Sequence, residues 1–315
     1  MLPCVMSTPR ILVGTASWQE PEFIRDWYPP GLSKTKLLPW YAGHFSFVEV
    51  NGTFYGIPKA SVVEQWCRQT PDDFVFDVKL HKLLSRHATP AKFLPADLRP
   101  KVEVAKGNVV LTPSIEKAVA KRFLEGIQPL IDSRKLGALL LQLSPSFRPK
   151  TAQLDDLENI FELFREHALA VELRNRDWME GEQKDETLAF FRKSRVTLVT
   201  VDAPESEHFT VMPFSDAVTN RKLAYMRLHG RDEAAFVRGK TVAERFNYLY
   251  GEDELREIAE VAVRLGLEAG EVHVVFNNNH SNYAPKSAEE LQRLLEIYHR
   301  IKSTRAKAKQ GELAV

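Results

Sequence analysis

Glu49, Glu172, Asp202, Lys79, Arg174, Arg227 and His229 share one placement: each stands at or just past the end of a short run rich in Val, Leu, Ile and Phe. Side chains alternate along a strand, so Glu172 and Arg174 in Glu172-Leu173-Arg174 face one side, as do Arg227 and His229 in Arg227-Leu228-His229. Lys79 with His81, and Glu49 with Asn51, repeat that spacing. Ionisable side chains are almost never fully buried unless paired, so such a concentration calls for partners, solvent or a ligand. Two readings stay open: an ion-pair lattice that closes the end of a sheet, or a binding site. As a site, Lys79, Arg174 and Arg227 suit a phosphate or carboxylate, Arg as a planar fork of donors and Lys as a compact charge. Glu49, Glu172, Asp202 and His229 then supply general acids and bases.

The same carboxylates with His229 are compatible with a divalent cation, as in a metal-dependent isomerase or endonuclease. No His-x-x-x-His pair supports it, and arginines beside the carboxylates compete with a cation, so no metal and no cofactor are expected. Trp18 and Tyr55, with Phe54, follow strand runs and could stack on a ring or simply pack. Asn51, Asn277 and Asn278 could orient a hydroxylated or amide-bearing ligand, or hold a tight turn.

Eight such runs must position these residues: Ile11–Ala16, Phe47–Asn51, Phe74–Leu80, Ala138–Leu143, Leu169–Leu173, Val196–Asp202, Leu223–His229 and Val272–Asn277. Helical periodicity returns between them, over Ser114–Asp132, Thr151–Glu166, Gln183–Lys193, Asp253–Leu267 and Ser287–Lys302, with Ser114 and Thr151 as expected N-caps. Strict alternation predicts an α/β fold, a TIM-type (β/α)8 barrel, whose chemistry sits at the carboxyl ends of the strands. An open doubly wound sheet would show closely spaced glycines after the first strand, but that strand runs Gly14-Thr15-Ala16-Ser17-Trp18. Three long connections, His81 to Pro113, Ala203 to Lys222 and Gly230 to Gly251, all follow strands. The first is expected to be an ordered excursion; the third carries Phe236, Phe246, Tyr248 and Tyr250, aromatics for a lid or for docking on the rim.

Residues 1–302 are expected to form a single domain and 303–315 a disordered basic tail. Hydrophobic residues make up 44% of the 315, enough for a core, yet no apolar run approaches the roughly 18 residues of a membrane span. Forty-three basic against forty-two acidic residues give no global field to recruit nucleic acid, which is not the favoured partner, although a local patch could. Two distant cysteines, Cys4 and Cys67, and a start without a readable secretory signal lead to an expected cytoplasmic location.

Several stretches together resemble the DUF72 family, also called YecE-like or UPF0759. They include Gly14-Thr15-Ala16-Ser17-Trp18, Trp27-Tyr28-Pro29, Phe47 to Tyr55, Phe74 to Lys79, Gln142 to Phe147, Glu172-Leu173-Arg174, Tyr225 to Gly230 and Val275 to Asn278. The resemblance spans roughly residues 11 to 290 and implies a TIM-type barrel, but it brings no activity with it. Two departures stand out. The family pattern usually carries His after Glu-x-Arg, where this chain has Asn175, and its Asn-Asn segment continues differently from Asn279-His280-Ser281-Asn282-Tyr283. If the family His is catalytic, the resemblance implies altered chemistry here, or His280 in its place. The expected function is an enzyme, a hydrolase or isomerase acting on an anionic small molecule. Its rivals are a metal-dependent nuclease or DNA-repair enzyme and a non-catalytic ligand-binding or scaffold protein.

Overall fold

The computed structural model describes residues 9–312, the side chains of 242 and 299–312 excepted. In chain order the elements are β1 (Arg10–Thr15), α1 (Pro21–Asp26), α2 (Lys34–Ala42), β2 (Phe47–Val50), α3 (Ala60–Arg68), β3 (Val75–Lys79), β4 (Val104–Ala105), β5 (Asn108–Val109) and α4 (Pro113–Asp132). They continue with β6 (Leu136–Gln142), α5 (Glu158–Leu163), β7 (Leu169–Glu172), α6 (Gly181–Ser194), β8 (Thr197–Leu198), β9 (Thr200–Asp202) and β10 (Leu223–Leu228). The last are α7 (Glu233–Arg238), α8 (Val242–Arg245), α9 (Glu252–Glu268), β11 (Glu271–Phe276) and α10 (Tyr283–Glu312).

All eight expected strands form, every pair among them parallel, in two sheets ordered β1-β11-β10-β9 and β2-β3-β6-β7-β8. The first and last expected strands pair over six residues each, from Arg10 with Glu271 to Thr15 with Phe276. The sixth run is interrupted at Val199, so that its first half pairs with β7 in one sheet and its second half with β10 in the other. At the opposite seam Ala16 bridges Glu49 and the Ser17 amide donates to the Glu49 carbonyl at 2.8 Å. Gly14 permits that approach, because a Cβ there would stand 2.3 Å from the Phe47 carbonyl oxygen. Buried apolar residues of both sheets and of α2, α4 and α9 belong to one continuous core.

Both expected N-caps shift. Thr112, not Ser114, caps α4, accepting from the Ile115 amide, because Pro113 occupies the first helical position and needs no donor there. Thr151 instead donates to the Ser146 carbonyl, and a capping box of Gln153 and Asp156 opens the 3₁₀ turn before α5. The excursion after β3 is ordered and carries the antiparallel β4–β5 hairpin near its end. α10 runs through the expected boundary at 302 to Glu312; residues 313–315 of the expected tail, and Cys4, lie outside the described residues. Among the described residues no helix is long and apolar enough to cross a membrane.

Candidate functional site

Arg227 organises the strand ends. It is 1% exposed, and all five of its N–H donors have partners. Nε and Nη2 reach the two oxygens of Glu49 at 3.0 and 2.8 Å; Nη1 donates to Glu172 Oε2 and, at 3.3 Å, to Gln142 Oε1; Nη2 also reaches Asn277 Oδ1 at 3.5 Å. Both carboxylates are wholly buried, and the Tyr225 hydroxyl adds a 2.8 Å bond to Glu49 Oε2. Burial alone would raise the Glu172 carboxyl, but Arg227 and the neighbouring His229 and Arg174 hold it well below the ordinary carboxylate range. Glu172 is therefore a fixed anion.

The alternation argument holds for two of the four pairs. Glu172 and Arg174 converge, with Arg174 Nη1 on Glu172 Oε1 at 2.9 Å. Arg227 and His229 converge too: His229 Nε2 lies 3.5 Å from Glu172 Oε1 without closing a hydrogen bond, while its Nδ1 accepts from Asn277 Nδ2 at 2.9 Å. That acceptor role puts the proton on Nε2, and burial, against the pull of Glu172, lowers the ring to about 4, so it is neutral. Lys79 and His81 part company. His81 turns into the excursion, accepting from the Leu83 amide and facing the Phe93 carbonyl at 3.2 Å. Asn51 leaves Glu49 and lines a cavity of about 200 Å³ with Ser17, Trp18 and Gln19.

Lys79 ends β3 partly exposed. Its ammonium stands 4.5 Å from the centroid of Phe54, and no hydrogen bond or ion pair holds it among the described residues. Burial and the nearby Arg227 and Arg174 pull it down to about 7, against Glu49 and Glu172, which support the charge. Arg174 is also partly exposed and, among the described residues, keeps Nε and Nη2 without partners; its guanidinium lies 5.8 Å from the Phe236 centroid. With the partly exposed Gln142 and Phe54, these two cations form the mouth above the buried network. His87 was not anticipated by sequence reasoning. It packs edge-on against Phe54 at 5.0 Å, with Nε2 3.3 Å from the Gln142 carbonyl, and burial lowers it to about 4. Lying eight residues beyond its strand, it offered no periodic signal.

Other expected residues stand elsewhere. Asp202 accepts a forked pair of bonds from Arg231 and one from the Tyr250 hydroxyl at 2.7 Å, which anchors the connection after β10 instead of joining Glu49 and Glu172. Trp18 is core, edge-on to Trp66 at 5.4 Å. Tyr55 is 62% exposed and lines a groove of about 580 Å³ beside Phe93 and Arg122, apart from the charged mouth. Asn278 donates to the Tyr248 carbonyl at 2.9 Å and leaves its buried Oδ1 unpartnered. Arg227, expected to grip an anion, has no donor left for one. Phe236 and Phe246 of the third long connection pack on the His229 ring at 6.2 and 5.5 Å, covering that strand end. Among the described residues no group of three or more His, Cys, Asp or Glu is placed to hold a metal ion.

A family model described as "Protein of unknown function DUF72" matches residues 12–311. The chain belongs to the DUF72 family. It is 27% identical over 291 residues to the UPF0759 protein YunF of Bacillus subtilis, covering 91% of this chain and 95% of that one. The UPF0759 protein YecE of Escherichia coli K12 is 40% identical over 78 residues, a quarter of each chain. Among solved structures, a DUF72 family protein of Thermotoga maritima aligns with TM-score 0.73 and 29% identity, over 91% of this chain and 99% of that one. One from Enterococcus faecalis gives 0.74 and 27%, over 91% and 95%. At the position where this DUF72 member departs from the expected family pattern, Asn175 acts as a cap, accepting from the Asp177 amide at 3.1 Å and donating to the Pro145 carbonyl at 3.2 Å. His280 contacts the Ala243 carbonyl and the Tyr283 ring, away from the Arg227 network.

Proposed function

We propose that this DUF72 member is a (β/α)8-barrel enzyme that binds a phosphorylated or carboxylated small molecule at the carboxyl ends of its strands and acts on it as a hydrolase or isomerase. The barrel reading is supported by the pairing of β1 with β11, the Ala16–Glu49 bridge and the sixth strand shared between the sheets. The ligand class rests on one observation. At the mouth, Lys79 and Arg174 keep donors free above two carboxylates that Arg227 already engages, so one positive charge stays uncompensated when Lys79 is protonated. An anion placed there meets charge-assisted donors on Lys79 and on the Nε and Nη2 of Arg174, while Arg174 Nη1 stays on Glu172.

Glu49 and Glu172 then act as positioning groups, and proton transfer falls to the two groups at the mouth whose ordinary values are lowered, Lys79 and His87. A metal-dependent nuclease is less well supported, because the Arg227 guanidinium occupies the space between the two carboxylates that a cation would need. A cytoplasmic location, read from the two-cysteine sequence, is part of the same proposal.

Isothermal titration with inorganic phosphate and with malonate tests the ligand class. Removal of a charge-assisted hydrogen bond is worth about 1.5–3 kcal/mol, so Arg174→Gln and Lys79→Met should each weaken binding roughly 10- to 100-fold. Affinities unchanged in both variants, or no binding by the unaltered protein, would reject the anion site.

A further inference from the structure

Of the three cations around Glu49 and Glu172, Lys79 alone makes no ion pair among the described residues: Arg227 joins both carboxylates and Arg174 joins Glu172. It ends a strand, reaches a partly open mouth, and lies on the face of Phe54 instead of against an acid. We propose that Lys79 forms a covalent imine with a small carbonyl compound whose carboxylate or phosphate rests on Arg174. The inference rests on the anion reading above for the charged half of the ligand only.

A buried anion partner would keep a lysine protonated and its nitrogen lone pair unavailable. Here Glu49 and Glu172 face Lys79 from β2 and β7 but are engaged by Arg227 from β10, and Arg174 adds a second positive charge nearby. At neutral pH an ordinary lysine presents roughly one free amine in a thousand; a group lowered to about 7 presents a large share. His87 packs edge-on against the same Phe54 ring, and with Nε2 turned to the Gln142 carbonyl its Nδ1 is left as an acceptor. Neutral His87 can therefore hold the water that leaves, without competing for the anion.

The step balances within the two reactants. The Lys79 amine attacks the carbonyl carbon, forming a C–N bond while the carbonyl π pair moves to oxygen, which takes up a proton. The carbinolamine then takes a second proton on its hydroxyl and expels water as the nitrogen lone pair closes a C=N bond. Starting from the ammonium form, both protons of the departing water come from nitrogen and the product is an iminium that keeps the single positive charge. The ligand's own anion, fixed on Arg174, stabilises that cation.

Two probes with borohydride reduction and peptide mapping test the proposal: pyridoxal 5′-phosphate, which carries an anion, and propionaldehyde, which does not. At pH 7 both should label Lys79 at least about ten-fold faster than the average surface lysine, whose amine is almost fully protonated. Labelling of Lys79 should rise through pH 7, whereas surface lysines gain only toward pH 10. Arg174→Gln removes a positive charge that helps lower Lys79, so it should slow both probes at pH 7, but pyridoxal 5′-phosphate the more, because only that probe also loses its anion partner. Selective propionaldehyde labelling with no added preference for pyridoxal 5′-phosphate upholds the imine and removes the anion reading. If neither aldehyde distinguishes Lys79 from surface lysines, in protein shown by circular dichroism to be folded, the imine proposal is overturned, and the anion reading stands or falls by its own titration.

Discussion

Arg227→Met tests whether the buried network is held by its guanidinium. The substitution removes five donors and leaves Glu49 and Glu172, both fully buried, facing each other without a cation between them. Glu49 keeps the Tyr225 hydroxyl and Glu172 keeps Arg174, so neither is stripped bare. Breaking one buried pair typically costs about 3–5 kcal/mol, and here one residue serves two pairs. Protonation sets a ceiling. For a glutamate whose ordinary value is about 4.3, taking up a proton at pH 7 costs about 3.7 kcal/mol, and at pH 5 about 1 kcal/mol. The expected loss is therefore about 4–7 kcal/mol at pH 7, shrinking by about 2.5 kcal/mol or more at pH 5. The sign is opposite to that of the unaltered protein, where the lowered Glu172 contributes stability above its unfolded value that disappears as pH falls through the folded one. Urea unfolding of both proteins at pH 5 and 7 reads both quantities. A loss below about 1 kcal/mol, or one independent of pH, refutes the argument that Arg227 is what makes two buried carboxylates tolerable.

Burial would lower His273, but Asp77 at 2.7 Å and Glu271 at 2.6 Å outweigh it and raise the ring to about 9. Its stabilisation, about 3 kcal/mol, is present in full below pH 6.5 and should be lost as pH rises through 9; His273→Gln should abolish that slope in unfolding curves, and a slope unchanged in the variant sinks the assignment. Gly137→Ala should destabilise by about 1–3 kcal/mol, because its Cβ would stand 2.5 Å from Asp77 Oδ1 and 2.6 Å from Val75 Cγ1. Asp202→Asn weakens the charged fork with Arg231, so limited proteolysis within 230–251 should speed up while phosphate affinity changes less than two- to three-fold, about 0.5 kcal/mol. A large affinity loss would return Asp202 to the site.

The strands were legible because each is an apolar run bounded by polar residues, and their order in the chain carries the βα rhythm with it. Alternation also marked that Glu172 with Arg174, and Arg227 with His229, share a face, since two-residue periodicity survives into any sheet. It failed for His81 and Asn51 because the turns that follow claim them: His81 Nδ1 accepts from the Leu83 amide, and Asn51 already has the helical backbone that opens the 3₁₀ turn Gly52–Phe54. What each charge meets across the sheets was decided by tertiary structure alone. Residues 49, 172 and 227 are far apart in sequence, and only strand register sets Arg227 between the two glutamates, leaves Asp202 to Arg231, and strands Lys79 on Phe54. The residue types announced that acids and bases would gather at the strand ends. Which cation is tied down by an ion pair and which stays free depends on distances of a few ångströms, and composition and spacing do not encode those.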